Sequence, residues 1–205
     1  MRLSSPFPWF IPALFIVVLA ASDSSCVAKD TSDPPLAGSS FTLGQIEDRI
    51  SISESQITDI RPGLEKSIMW AGEPHHRTHY AIVYVHGFSA SKEELRPVPD
   101  IIAANLGANI FYTRLTGHGR TANSMREATV TAWLEDLAEA FKIGTIIGDK
   151  VIIISCSTGG TLVAKGMANG IFSEKLFSTV FFSPNFGVQD DMAPILTWPL
   201  ARYWA

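Results

Sequence analysis

Cysteine is scarce in this chain. There are two, Cys26 and Cys156, too few for a disulfide framework. Cys26 lies in a polar N-terminal stretch and Cys156 inside a strand-to-glycine junction, so a bridge between them is not expected. Charge is sparse too: 18% of residues are charged and the formal net charge is -4. A basic stripe is missing, which excludes nucleic acid as a partner. No apolar run reaches the ~20 residues that a spanning helix needs. No segment repeats. All five histidines precede Ser157 and none follows it. With 205 residues, 46% of them hydrophobic, the chain is expected to form one domain around a sizeable buried core.

The N-terminus has the three-part layout of a secretory signal peptide. Arg2 supplies a positive start, Phe7 to Ala21 is apolar though broken by Pro8 and Pro12, and Ala20, Ala21 and Ser22 offer a small-residue cleavage site. Residues 1–21 therefore read as the leader, and an uncleaved membrane anchor through residues 7–21 is the alternative. Lipid attachment at Cys26 is a third, although Asp23-Ser24-Ser25 lacks the apolar residue of a bacterial lipobox. Each route places the protein outside the cytoplasm. Residues 22–40, rich in Ser, Asp and Pro, read as a flexible linker.

The remainder, 41–205, reads as strands alternating with helices, the pattern of a parallel sheet. Phe41 to Ile60 has no clean period and fits a strand, a short helix or an arm. Ser67 to Ala71 suits an edge strand, and Ala81 to Val85 a buried parallel strand. Leu95, Val98, Ile101 and Ile102 predict a helix whose start is disturbed by Pro97 and Pro99 and which ends at Gly107. Ala108 to Thr113 reads as a strand. Thr129 to Ile147 reads as an amphipathic helix, turned by Gly148-Asp149 into the next strand. Thr161 to Ala168 reads as a helix and Leu176 to Ser183 as a strand. The aromatic tail, 191–205, fits the start of a substrate-covering cap, an amphipathic surface segment or core-packing residues.

The chemistry centres on Val151-Ile152-Ile153-Ile154-Ser155-Cys156-Ser157-Thr158-Gly159-Gly160. A β-branched run ends in a turn with small residues two before and two after Ser157. This approximates the G-x-S-x-G nucleophile elbow, with Ser155 in place of the first glycine. Ser157 is the candidate nucleophile; a helix-capping serine is the alternative. An acyl-transfer intermediate bears an oxyanion that needs backbone N–H donors. Thr158, just after the nucleophile, and Phe88, in the loop His86-Gly87-Phe88, are the candidates. His86 reads as structural. His118, in Arg114-Leu115-Thr116-Gly117-His118-Gly119, reads as part of a tight loop, with a catalytic base as the alternative. His75, His76 and His79 read as solvated loop residues, and Cys156 is expected to point away from the open face.

These motifs, in this order between Ser67 and Ser183, resemble the α/β-hydrolase superfamily and its monoacylglycerol-lipase and serine-aminopeptidase-like branch. The resemblance implies a mostly parallel sheet with helices on both faces. It also implies Ser157 as nucleophile, the Phe88 and Thr158 amides as oxyanion hole, and ester or acyl substrates. It implies no metal or organic cofactor. Members carry the triad in the order Ser, acid, His. After Ser157 this chain has only Glu174, Asp190 and Asp191 as acids and no histidine. It is therefore expected to be the N-terminal part of such an enzyme, lacking the triad acid and base, with C-terminal strands missing and one sheet edge bare. The competing function is a catalytically inactive binding or interaction domain on the same fold.

Overall fold

The computed structural model describes residues 16–20 and 42–187. The linker 22–40, Cys26, Asp190, Asp191 and the tail 191–205 lie outside the described residues, as does all of the leader except its last apolar stretch.

Among the described residues six strands form one sheet: β1 (Ile16–Ala20), β2 (Ser67–Met69), β3 (Thr78–Val85), β4 (Asn109–Tyr112), β5 (Gly148–Cys156) and β6 (Leu176–Phe182). Their order is β1-β6-β5-β3-β4-β2. The central pairs β4-β3, β3-β5 and β5-β6 are parallel, and β2 and β1 close the two sides antiparallel. Four α-helices accompany them among the described residues: α1 (Ile46–Ser55), α2 (Val98–Leu106), α3 (Val130–Ile147) and α4 (Thr158–Ala168). This is the mostly parallel α/β architecture with helices on both faces that the resemblance implied.

The strand sequences explain the layers. A parallel strand covered on both faces needs apolar residues throughout, and Ala81 to Val85 is fully buried. Ala81, Val83 and Val85 face one way, with Val151 and Ile153, into a core shared with α1, α3 and α4. Ile82 and Tyr84 face the other way, with Ile110, Tyr112 and Ile154, onto Ala103 of α2. Burying one such Val or Ile side chain contributes about 1.5–3 kcal/mol.

Most element ends follow local rules. Thr129 accepts a hydrogen bond from Ala132 N–H at 3.1 Å and caps α3. Gly107, left-handed at φ 56°, ends α2. The expected Gly148-Asp149 turn is absent, because α3 runs directly into β5. Arg77 makes this possible: its guanidinium donates to the Ile146 and Gly148 carbonyls at 2.7 and 2.6 Å.

The expected bare edge beyond β6 is covered. Ile16 pairs opposite Phe182 and Ala20 opposite Ser178, so the end of the apolar N-terminal run serves as an edge strand. Among the described residues no helix is long and apolar enough to cross a membrane.

Candidate active site

β5 delivers Ser157 and α4 leads away from it. Ser157 has φ 48° and ψ -119°, a conformation that a non-glycine residue adopts only at a cost of about 1–3 kcal/mol. The turn is held by its backbone: Ser157 N–H donates to Phe182 C=O at 3.0 Å, and Ser157 C=O accepts from Gly160 N–H at 2.9 Å. The Ser157 side chain makes no capping bond to α4, so the helix-cap reading does not account for it. Gly159 is required by close approach, since a Cβ there would stand 2.5 Å from the Val85 carbonyl oxygen. Ser155 fits where a glycine was expected. It is fully buried, and its hydroxyl donates to Val180 C=O at 3.3 Å.

The loop after β3 lies against the elbow. A Cβ built on Gly87 would be 3.1 Å from Ser157 Cβ. His86 is fully buried and both its nitrogens are engaged: Leu115 N–H donates to Nε2 at 3.1 Å, and Nδ1–H donates to Gly87 C=O at 2.8 Å. Burial pushes its pKa down to about 4, so the ring is neutral at pH 7. Gly87 C=O and Phe88 N–H share one peptide plane and point in opposite directions. The His86 bond therefore turns Phe88 N–H away from the imidazole. No described residue accepts from Phe88 N–H. Thr158 is the first residue of α4, and its N–H has no carbonyl in its own helix.

His118 is placed alike. Ser89 N–H donates to its Nε2 at 3.1 Å, and Nδ1–H donates to Thr116 C=O at 3.3 Å. Burial lowers its pKa as well. The ring lies tilted between His86 and Trp133, with centroids 4.8 and 5.5 Å away, and Phe88 meets it edge-on. Behind it, Arg114 donates to His118 C=O at 3.1 Å and forms a buried two-pronged pair with Glu54 at 2.8 and 2.9 Å.

The fold thus brings Ser157, Thr158 and the Phe88 loop together. The acid it brings beside them is Glu94, whose Oε1 would stand 2.8 Å from a Cβ built on Gly87; among the described residues it brings no acid from beyond Ser157. Glu174 is exposed and precedes β6 at the sheet end opposite Ser157, because Cys156 pairs with Phe182 at the other end. Neither buried histidine has a free nitrogen. Cys156 lies in the apolar layer under α2, and burial pushes its thiol up to about 12, so it stays protonated. Among the described residues no cluster of three or more metal-ligating side chains occurs.

Two contributors had no sequence signal. Glu94 accepts from Gly87 N–H at 2.8 Å and from Tyr84 O–H at 3.1 Å, tying the loop back to β3. Glu54 reaches the site only through Arg114.

No family profile matches the chain, and no curated protein matches it. Solved structures do resemble it in part. One comes from work on LipS and LipT, metagenome-derived lipolytic enzymes. It is 24% identical with a TM-score of 0.47, over 55% of this chain and 43% of that one. Two are of esterase B from Lactobacillus rhamnosis, one inhibited by a C6-C4 SN3 compound and one by a C4-C4 SN3 tributyrin phosphonate. Both are 13% identical, with TM-scores of 0.35 and 0.34, and both cover 69% of this chain and 52% of the other. The chain spans about half the length of the solved chains that it matches.

Proposed function

We propose that the chain carries the nucleophile and oxyanion hole of a serine hydrolase of the α/β-hydrolase superfamily acting on carboxylic esters. The observation that carries this reading is Ser157 held at φ 48° on a strand-turn-helix junction with no capping role for its hydroxyl. In this reading Ser157 Oγ attacks the ester carbonyl carbon after its proton passes to a base. The amides of Phe88 and Thr158 receive the resulting oxyanion. Collapse expels the alcohol, and water then releases the acyl group from Ser157. The monoacylglycerol-lipase branch within the superfamily is part of the proposal.

A fluorophosphonate probe applied to the full-length gene product tests it. Labelling of Ser157 that disappears in Ser157→Ala is expected. Absence of labelling, or labelling that survives the substitution, would sink the proposal.

One observation favours the inactive reading. Every nitrogen of the two histidines beside the site is already hydrogen-bonded. An acyl ligand that binds without serine-dependent turnover would establish a binding domain; ester hydrolysis abolished by Ser157→Ala would reject it.

The leader is also part of the proposal, with export from the cytoplasm as its consequence. Cleavage after Ala21 would take β1 away and uncover the β6 edge. The intact mass of the exported protein decides: a chain starting at Ser22 supports the leader, and one that keeps Ile16–Ala20 supports the edge strand.

A further inference from the structure

We propose that His118 is a positioning residue of the oxyanion loop, its neutral ring acting through Ser89 to fix the direction of the Phe88 amide. This rests on the serine-hydrolase reading of Ser157. The peptide planes on both sides of Phe88 are each tied to a histidine. Gly87 C=O accepts from His86 Nδ1–H at 2.8 Å, and Ser89 N–H donates to His118 Nε2 at 3.1 Å. Two fixed planes fix the φ and ψ of the residue between them. The second tie also holds strain. Ser89 sits at φ 57°, a left-handed conformation that a serine leaves when nothing retains it.

The ring itself cannot swing. It is 2% exposed, lies between His86 and Trp133, and its own carbonyl is anchored by Arg114. Its Nδ1–H shares the Thr116 carbonyl with Trp133 Nε1–H, which donates to it at 2.9 Å. This bond sets the tautomer that leaves Nε2 as an acceptor. Protonation would replace that lone pair with an N–H facing the Ser89 N–H, and the tie would be lost. The charged and titratable groups around the ring are Arg114, which opposes its protonation, and Glu94, which favours it. His86 lies beside the ring, Glu54 stands behind Arg114, and Asp136 of α3 accepts from Thr116 N–H.

The test uses the full-length gene product, with two readouts. One is hydrogen exchange of the Ser89 amide. The other is the rate of Ser157 labelling by a fluorophosphonate from pH 8 to pH 4. His118→Leu is expected to lose Ser89 protection and to slow labelling about 10²-fold, the scale of one lost oxyanion donor. His118→Gln places a carbonyl oxygen near the Nε2 position. It is expected to restore protection and most of the rate, and to move the acid limb of the pH profile to lower pH. Ser89 protection retained in His118→Leu would overturn the proposal. So would a His118→Gln protein that protects Ser89 yet labels as slowly as His118→Leu, because a direct proton-transfer role would then be needed. If His118→Leu does not fold, the wild-type protein decides. Ser89 protection must fall as the His118 ring signal titrates, and protection unchanged across that titration overturns the proposal. If wild type never labels, the hydrolase reading fails while Ser89 exchange still reports on the tie.

Discussion

Gly159 lies so close to Val85 that a methyl group on it would stand 2.5 Å from the Val85 carbonyl oxygen and 2.6 Å from that of His86. Both are backbone atoms of the central strand and its exit, so neither can step aside as a side-chain tip could. Gly159→Ala is expected to lower the unfolding free energy by about 3 kcal/mol, the upper end for overpacked positions. It should also displace the Phe88 loop. Urea denaturation measures the first effect and fluorophosphonate labelling the second. A variant as stable as wild type would show that α4 and β3 are not in the contact described.

Ser157 stores strain that its neighbours must hold. A glycine adopts φ 48° without a Cβ penalty, though it loses more chain entropy on folding. Ser157→Gly is therefore expected to raise stability by about 1 kcal/mol while removing the nucleophile. Thermal and urea unfolding read the gain. A loss of stability would mean that the serine side chain contributes contacts that the strain argument ignores.

The pair Glu54 and Arg114 joins α1 to the loop that carries His118, with side chains 6% and 5% exposed. Burial alone would raise the Glu54 carboxyl. The Arg114 bonds and the Lys66 N–H outweigh it, leaving the pKa below the ordinary range. Removing only the guanidinium, as in Arg114→Met, strands a buried carboxylate and is expected to cost about 3–5 kcal/mol. Replacing both, with Glu54→Leu added, should recover most of that loss. A double-mutant cycle in urea measures the coupling, and simple additivity of the two losses would show that the pair is not interacting.

The same pair shows what the sequence conceals. The apolar runs of β3 and β5 are legible because both faces of a parallel strand are buried, and the small residues around Ser157 are legible because the turn admits nothing larger. The α1 helix is not. Its buried stripe is Ile46, Ile50 and Glu54, so a charged residue completes the pattern, and its partner lies 60 positions away. The direct passage from α3 into β5 is hidden in the same way, since it depends on Arg77, the residue just before β3. Glu94 looks like any loop acid until the fold carries it to Gly87 and Tyr84. Local steric rules write themselves into neighbouring residues; long-range polar contacts leave no periodic trace.

His86 gives the fold a pH dependence with a defined sign. Burial holds its folded pKa at about 4, below the ordinary 6.5. Between these values the unfolded chain binds more protons than the folded one, so stability falls as pH falls. The contribution is complete above pH 6.5 and is lost progressively toward pH 4, by on the order of 3 kcal/mol. His118, also lowered by burial, acts in the same direction. Glu54 adds a later loss, because its lowered carboxyl gives up its contribution only as pH falls below the ordinary 4.5. Asp136, raised by burial, works against these losses near its own titration. Urea midpoints should therefore be level from pH 8 to about 7 and decline steeply between about pH 6.5 and 4. A midpoint unchanged across that lower interval would mean that His86 accepts its proton without breaking the bond from Leu115 N–H, and the neutral-ring account of the loop would fail.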